Sequence, residues 1–239
     1  MPTKRQVRYM GNSGFEIVSR AGTRVIIDPY ITGNITSTIK VEELTPPDLV
    51  LVTHGARDHM GDTLEICKRS KCTVISEPAV IQHLRNNGIS SERLKTAVWG
   101  FVHEFKDVHV RVVQSQHLSR FQSGNELLMG MSVGFIFSTG NDPAFYHPGD
   151  TSIFSDIRLF GELYHPQIGL IPVGNATPHS GTELWPREAA MVCKWMHLKA
   201  AVPTHFCTPD KPREFKKWMK EESPETKVIV MKSGDVANL

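Results

Sequence analysis

The sequence predicts an α/β fold with two sheets lying between outer helices in one domain over residues 1–239. Three observations lead there. The run LVLVT at residues 49–53 is apolar and β-branched, as expected of a strand buried in a sheet. Strand and helix patterns alternate after it, and both halves of the chain repeat a plan of strands first and alternation afterwards. No linker, low-complexity tract or close repeat separates the halves.

Taken in order, VRYMG, FEIVSR and TRVIIDP alternate or run apolar and are expected to form strands before LVLVT. Helical spacing follows in DTLEICKRS and EPAVIQHLRNNG, the second stopped by Gly88 after Asn86 and Asn87. TAVWGF and VHVRVVQSQH return to strand character. MSVGFIFST and PAFYH are expected to form a hairpin turning at Gly140, Asn141 and Asp142. A helix from about Ser152 to Leu163, the strand IGLIPV, a helix over WPREAAMVCKWMHL, the strand AAVPTHF, a basic helix and the strand KVIVMK complete the chain.

Composition names no partner. With 239 residues, 40 % apolar and 22 % charged, the chain is ordinary for a globular protein, and a net charge of +2 gives no field for steering onto nucleic acid or an anionic membrane. The charges from Lys211 to Lys220 read as a solvated helix face. No apolar run nears the roughly 20 residues that cross a bilayer. The opening MPTKRQVRYM has no apolar core of a secretory signal, so the expected location is cytoplasmic. Cys67, Cys72, Cys193 and Cys207 form no C-x-x-C pair and fit reduced thiols, with Cys207, two residues past His205, placed to border a site.

Chemistry concentrates in THGARDHMGD, residues 53–62, directly after the apolar strand. His54, Asp58 and His59 put two imidazoles and a carboxylate in one glycine-containing loop, at the strand end where α/β proteins place their sites. These donors suit zinc, manganese or iron. Three further segments deliver a potential ligand at or just past a strand end: His117 in VVQSQHLS, Asp150 in FYHPGDTS and His205 in AVPTHF. A single histidine among the 11 is more often a surface or hydrogen-bonded residue than a ligand; the set carries the argument.

At this point the chain resembles the metallo-β-lactamase superfamily, in the branch of metal-dependent hydrolases related to ascorbate-6-phosphate lactonases. The match runs through IIDPYITGN, THGARDHMGD, QSQH, YHPGDT, LFGELYHPQIGLIPVGNAT and VPTHF. It implies an αββα sandwich of two mixed sheets flanked by helices, with metals in a shallow cleft at one edge. The family loop is H-x-H-x-D-H, and its second histidine is Ala56 here. By resemblance Asp58, His59 and His205 hold one metal, His54 and His117 hold the other without the missing imidazole, and Asp150 bridges.

Loss of that imidazole weakens the first position more than the second. One metal, two metals with a water in the gap, and a substitute side chain are all open; His179 in NATPHSG is the candidate substitute or substrate contact. A divalent cation acidifies its bound water and polarises the group attacked, so hydrolysis of an ester, lactone or phosphoester of a small anionic metabolite is expected. Asp58 or Asp150 serves to orient that water. Asp28 in IIDP is read either as the acceptor holding a ligand imidazole or as an Asp-Pro turn at a strand end.

Gly130, Ser132 and Gly134 match the G-x-S-x-G spacing of a serine-hydrolase elbow, but the apolar run GFIFST continues as a strand where an elbow needs a helix. No G-x-G-x-x-G dinucleotide fingerprint is present. Two rival readings stand beside the hydrolase. Ala56 suits a catalytically impaired metal- or ligand-binding homologue. Relatives on the same fold cut phosphodiesters, though the chain shows no basic groove for a nuclease. Homo-oligomerisation is left open.

Overall fold

The computed structural model describes residues 4–174 and 183–239 and contains two seven-stranded mixed sheets with helices on their outer faces. In the first sheet, β1 (Gln6–Gly11), β2 (Gly14–Val18) and β3 (Arg24–Ile27) run antiparallel. From β3 the sheet continues in parallel through β4 (Leu49–Val52), β5 (Thr73–Ser76) and β6 (Leu94–Thr96).

The second sheet repeats the plan. Strands β7 (Val102–Phe105), β8 (Val108–Ser123), β9 (Glu126–Thr139) and β10 (Phe145–His147) are antiparallel. Strands β11 (Ile168–Pro172), β12 (Ala200–Thr204) and β13 (Lys227–Val228) follow β10 in parallel. The last strand, β14 (Val236–Ala237), returns to pair with β1.

Side-chain alternation separates the layers. Leu49 and Leu51 point between the sheets and meet Val110, Val112, Phe135, Phe137 and Leu170 of the second sheet, all buried. Their neighbours Val50 and Val52 point outward, under α2 (Thr63–Arg69) and α3 (Pro78–Asn86), which bury Ile66, Cys67, Val80, Ile81 and Leu84. On the opposite face Ile171 packs with residues of α5 (Pro186–Trp195) and α6 (Asp210–Glu222), among them Val192, Cys193 and Phe215. A strand covered on both faces reads as a continuous apolar run, as LVLVT and IGLIPV do. Helix α4 (Ile157–Tyr164) covers the same outer face, and the single turn α1 (Arg57–Met60) follows β4.

Four expected boundaries shift. TAVWGF is not one strand: β6 ends at Thr96, and a turn closed by Phe101 N–H to Val98 O passes the chain from the first sheet to the second. The helix expected from Ser152 starts at Ile157: Ser152 is fastened to the β8 bulge through its N–H to Gln116 O, and the chain runs irregularly and turns at Ser155 and Asp156 before α4. KVIVMK shortens to the two residues of β13, with Ile229 N–H donating to Ala201 O just beyond. Strand β8 does not stop near His117 but runs on to Ser123, pairing with β9 throughout except at one interruption.

Candidate metal centre

That interruption places His117. Gln114 pairs with Val133 and Leu118 with Met131, so Ser115, Gln116 and His117 stand opposite Ser132 alone, a bulge that breaks the ladder. Gln116 N–H donates to Thr151 Oγ1 at 3.0 Å, and Ser152 N–H donates to Gln116 O at 3.1 Å, fastening the bulge to the turn that carries Asp150. Ser132 is therefore a strand residue, as its flanking sequence indicates.

The other positions stand where parallel strands end. Asp28 follows β3, His54 follows β4, Asp150 lies three residues past β10, and His205 follows β12. Asp58 and His59 lie in α1. Asp28 and His205, with Asn12, adopt positive φ of 42°, 54° and 51°. Such backbone angles are costly for non-glycine residues and cluster where packing must aim a side chain.

The six expected ligand residues converge in two groups sharing Asp150. Ligand atoms of Asp58, His59, Asp150 and His205 lie within 4.8 Å of one another, as do those of His54, His117 and Asp150. His205 Nε2 is 3.1 Å from Asp58 Oδ2 and 3.2 Å from Asp150 Oδ2. His59 Nε2 comes to 3.0 Å from Asp150 Oδ1 but out of line for a hydrogen bond, and neither atom has another partner among the described residues. His54 Nε2, 4.0 Å from Asp150 Oδ2, and His117 Nδ1 are likewise buried without hydrogen-bond partners among the described residues. Buried polar atoms are normally paired. Orphaned nitrogens and carboxylate oxygens aimed at common points are the arrangement a cation fits, so the donor set suits a divalent transition metal.

The outward nitrogens are held. Asp28, fully buried, accepts from His59 Nδ1 and His147 Nε2 at 2.8 Å each, and from Thr53 N–H and Thr53 Oγ1 at 2.8 Å each. Thr53 Oγ1 lies 3.1 Å from His54 Nδ1, placing the hydroxyl to accept while it donates to Asp28. Glu183 Oε2 is 3.4 Å from His205 Nδ1. These contacts leave Nε2 of three imidazoles facing inward.

Electrostatics follow from the crowding. Burial disfavours charge on His59, but the Asp150 and Asp28 carboxylates prevail and push its imidazole up to about 10. Burial also opposes ionisation of Asp150, yet His59 and His205 hold it well below the usual carboxylate range. Burial, with the His59 charge beside it, lowers His54 to about 3. Asp58 resists burial through the His205 hydrogen bond and falls to about 2. The Asp58 side chain is 41 % exposed, and this is the side open to solvent.

Several contributors escaped the sequence reading. His147 and Thr53 complete the Asp28 network, and Glu183 backs His205. Asn12 binds Asp58 O through Nδ2 at 3.0 Å and takes His205 N–H on its carbonyl at 2.9 Å. A histidine closing a strand three residues before Asp150, and Asn12 in a Gly-Asn turn, were the available signals. Cys207 is in neither ligand group. His179 lies outside the described residues.

Comparison with known proteins shows the family and the fold. Residues 23–206 match the β-lactamase superfamily domain model. The chain is 32 % identical over 235 residues to a UPF0173 metal-dependent hydrolase of Methanopyrus kandleri, covering 96 % of this chain and 98 % of that one. It is 33 % identical over 239 residues to another from Methanosarcina barkeri, with 98 % of each covered. Among solved structures, Igni18, a metallo hydrolase of the hyperthermophilic archaeon Ignicoccus hospitalis, superposes with a TM-score of 0.82 at 27 % identity over 98 % of both chains. Coverage from end to end in the relatives and over most of the chain in the domain model leads to one conclusion: the chain belongs to the metallo-β-lactamase superfamily and, within it, to the UPF0173 metal-dependent hydrolases.

Proposed function

We propose that this protein, acting as one domain, hydrolyses an ester, lactone or phosphoester bond of a small anionic metabolite, with Asp58, His59, Asp150 and His205 as the principal metal-binding set. The observation behind this reading is the convergence of those four ligand atoms within 4.8 Å, beside a second group of His54, His117 and the shared Asp150. Four protein donors make the first set the tighter position. The second has three, because Ala56 offers no donor atom.

A divalent zinc, manganese or iron ion bound there supplies a nucleophile at neutral pH and polarises the scissile group. The chain's own residues do the rest. Asp58, partly exposed and held ionised, orients the attacking water. Asp150, buried and held ionised, fixes the spacing between the two positions. Asp28, Thr53 and Glu183 keep the imidazoles turned inward. A lactone is a natural member of the substrate class, since ring opening leaves both products on one molecule.

The test is elemental analysis of the purified protein, followed by hydrolysis assays on lactone, aryl ester and phosphodiester panels before and after chelation and reloading. Bound metal, chelator-sensitive hydrolysis and its loss in His205→Ala are the expected results. No metal and no metal-restored turnover would sink the reading.

One observation favours a second reading. Ala56 at the usual histidine suits a homologue that binds metal or ligand without turnover. Metal content at the four-ligand set with no hydrolysis of any panel member, and turnover appearing only in Ala56→His, would select it.

A further inference from the structure

A cavity of about 420 Å³ lies beside the metal centre but outside it, between β1, the start of α6 and the segment 230–233. Its walls are mainly apolar: Tyr9, Phe206, Val230 and Met231. Its cations are Arg213, Lys216 and Lys232, and no carboxylate lines it among the described residues. Arg213 is already paired with Asp210 at 3.2 Å, whereas Lys216 and Lys232 form no ion pair among the described residues. The volume falls in the range of small-molecule sites, and an apolar body with a few charged groups at its edge is their usual composition.

None of the six candidate metal ligands lines this cavity. Asn12 stands between the two. On the cavity side, Tyr9 Oη donates to Asn12 O at 2.7 Å and Asn12 N–H donates to Thr36 Oγ1 at 3.1 Å. On the metal side, the same Asn12 O takes His205 N–H, and Asn12 Nδ2 binds Asp58 O. A molecule against Tyr9 and Thr36 therefore presses on a residue that positions two of the candidate ligands, without reaching the reacting atoms.

From the volume, the apolar walls and the two unpaired lysines we infer that this cavity is a second small-molecule site, which takes an amphipathic anion: an aliphatic body carrying one carboxylate or phosphate. The body fills the space among Tyr9, Phe206, Val230 and Met231. The anionic group lies at the rim against Lys216 and Lys232.

Cys207 lines the cavity and is exposed, while Cys67, Cys72 and Cys193 are buried. Its rate of modification by a thiol-specific aromatic disulfide reads occupancy without any reference to turnover, in chelated and metal-loaded protein alike. Octanoate and octyl phosphate are expected to slow the reaction at concentrations where octanol does not, with an anion preference of about tenfold in half-protecting concentration, the factor given by about 1.4 kcal/mol. In the double variant Lys216→Met, Lys232→Met that preference is expected to vanish while weak protection by octanol remains. Val230→Trp, which fills the space from an exposed position, is expected to abolish protection by all three. Equal protection by octanol and octanoate in the unaltered protein overturns the anionic assignment, and unslowed labelling with every probe overturns the site. Slower labelling by octanoate than by octyl phosphate marks a carboxylate ligand, and the reverse marks a phosphate.

Discussion

Asp28 Oδ2 and His59 Nδ1 are 2.8 Å apart in a part of the protein with no solvent exposure, and this contact sets the direction in which the other nitrogen of His59 faces. The same carboxylate holds His147 and Thr53, so one side chain after β3 organises the end of β4, α1 and the end of β10.

Replacing that carboxylate tests the arrangement. Asp28→Asn keeps the shape but places an amide where two imidazole N–H groups converge. Metal affinity is expected to fall about 10- to 100-fold, the usual effect of losing a partner behind a ligating histidine. Stability of the chelated protein should fall by about 1–3 kcal/mol, the cost of a buried donor left unmatched. Competition with a chromophoric chelator and denaturant unfolding measure the two. Wild-type affinity in the variant would reduce Asp28 to a turn residue.

Restoring the absent imidazole probes the weaker position. Ala56→His adds a donor beside His54, His117 and Asp150, so metal content should rise by one ion per chain at equal free metal. His117→Ala in that background should remove the gain, whereas His205→Ala should chiefly empty the four-ligand set. Elemental analysis after dialysis at fixed free zinc distinguishes them. An unchanged stoichiometry would show that another group already fills the gap.

Gly55 lies under an aromatic ring. A Cβ there would collide with the Phe121 ring, and Gly55 N–H is fastened to Ser119 Oγ at 2.9 Å, itself donating to buried Glu77. Gly55→Ala is expected to cost about 1–3 kcal/mol, as overpacking does, and to weaken metal binding by displacing the adjoining His54. Truncating the ring in Gly55→Ala, Phe121→Ala should recover metal affinity more than stability, since the ring also packs on the outer core. Thermal unfolding together with metal titration separates the effects.

The pH dependence of the chelated protein follows from opposite shifts. His59, pushed up to about 10, contributes stability below the ordinary histidine value near 6.5 that is lost as pH rises through about 10. His54, lowered to about 3, and Asp58, lowered to about 2, contribute in the other direction. The His54 contribution is present above about 6.5 and lost as pH falls toward 3, and that of Asp58 is present above about 3.9 and lost through 2. The melting temperature should therefore peak near neutrality and decline on both sides. Added zinc requires deprotonated imidazoles, so it should abolish the alkaline decline. A flat profile from pH 6 to 10 after chelation would contradict the pairing of His59 with Asp28 and Asp150.

Much of this site was legible along the chain because ligands follow strands. LVLVT, FYH and AAVPT are apolar runs followed by His54, the Asp150 turn and His205; the first lies in one sheet and the other two in the second, each parallel to a neighbouring strand, so their ends meet once the two sheets pack. Boundaries were less legible where a side-chain or backbone partner lay far away. Ser152 reads as helical, but it lies against Gln116, 36 residues earlier, and α4 begins only at Ile157.

The amino-acid sequence by itself determined the two-sheet α/β plan, the ligand types and the gap at Ala56, because periodicity and donor chemistry are local properties. Tertiary structure alone decided how they meet. The three-residue bulge at His117 exists because β8 continues past the site against β9, and the sharing of Asp150 exists because two sheets place their strand ends together. The bond from Asp28 to His147 spans 119 residues, and Asn12 joins β1 to both Asp58 and His205. Such contacts arise only when the layers pack, since nothing in a strand's own pattern specifies which distant side chain will lie within 3 Å of it.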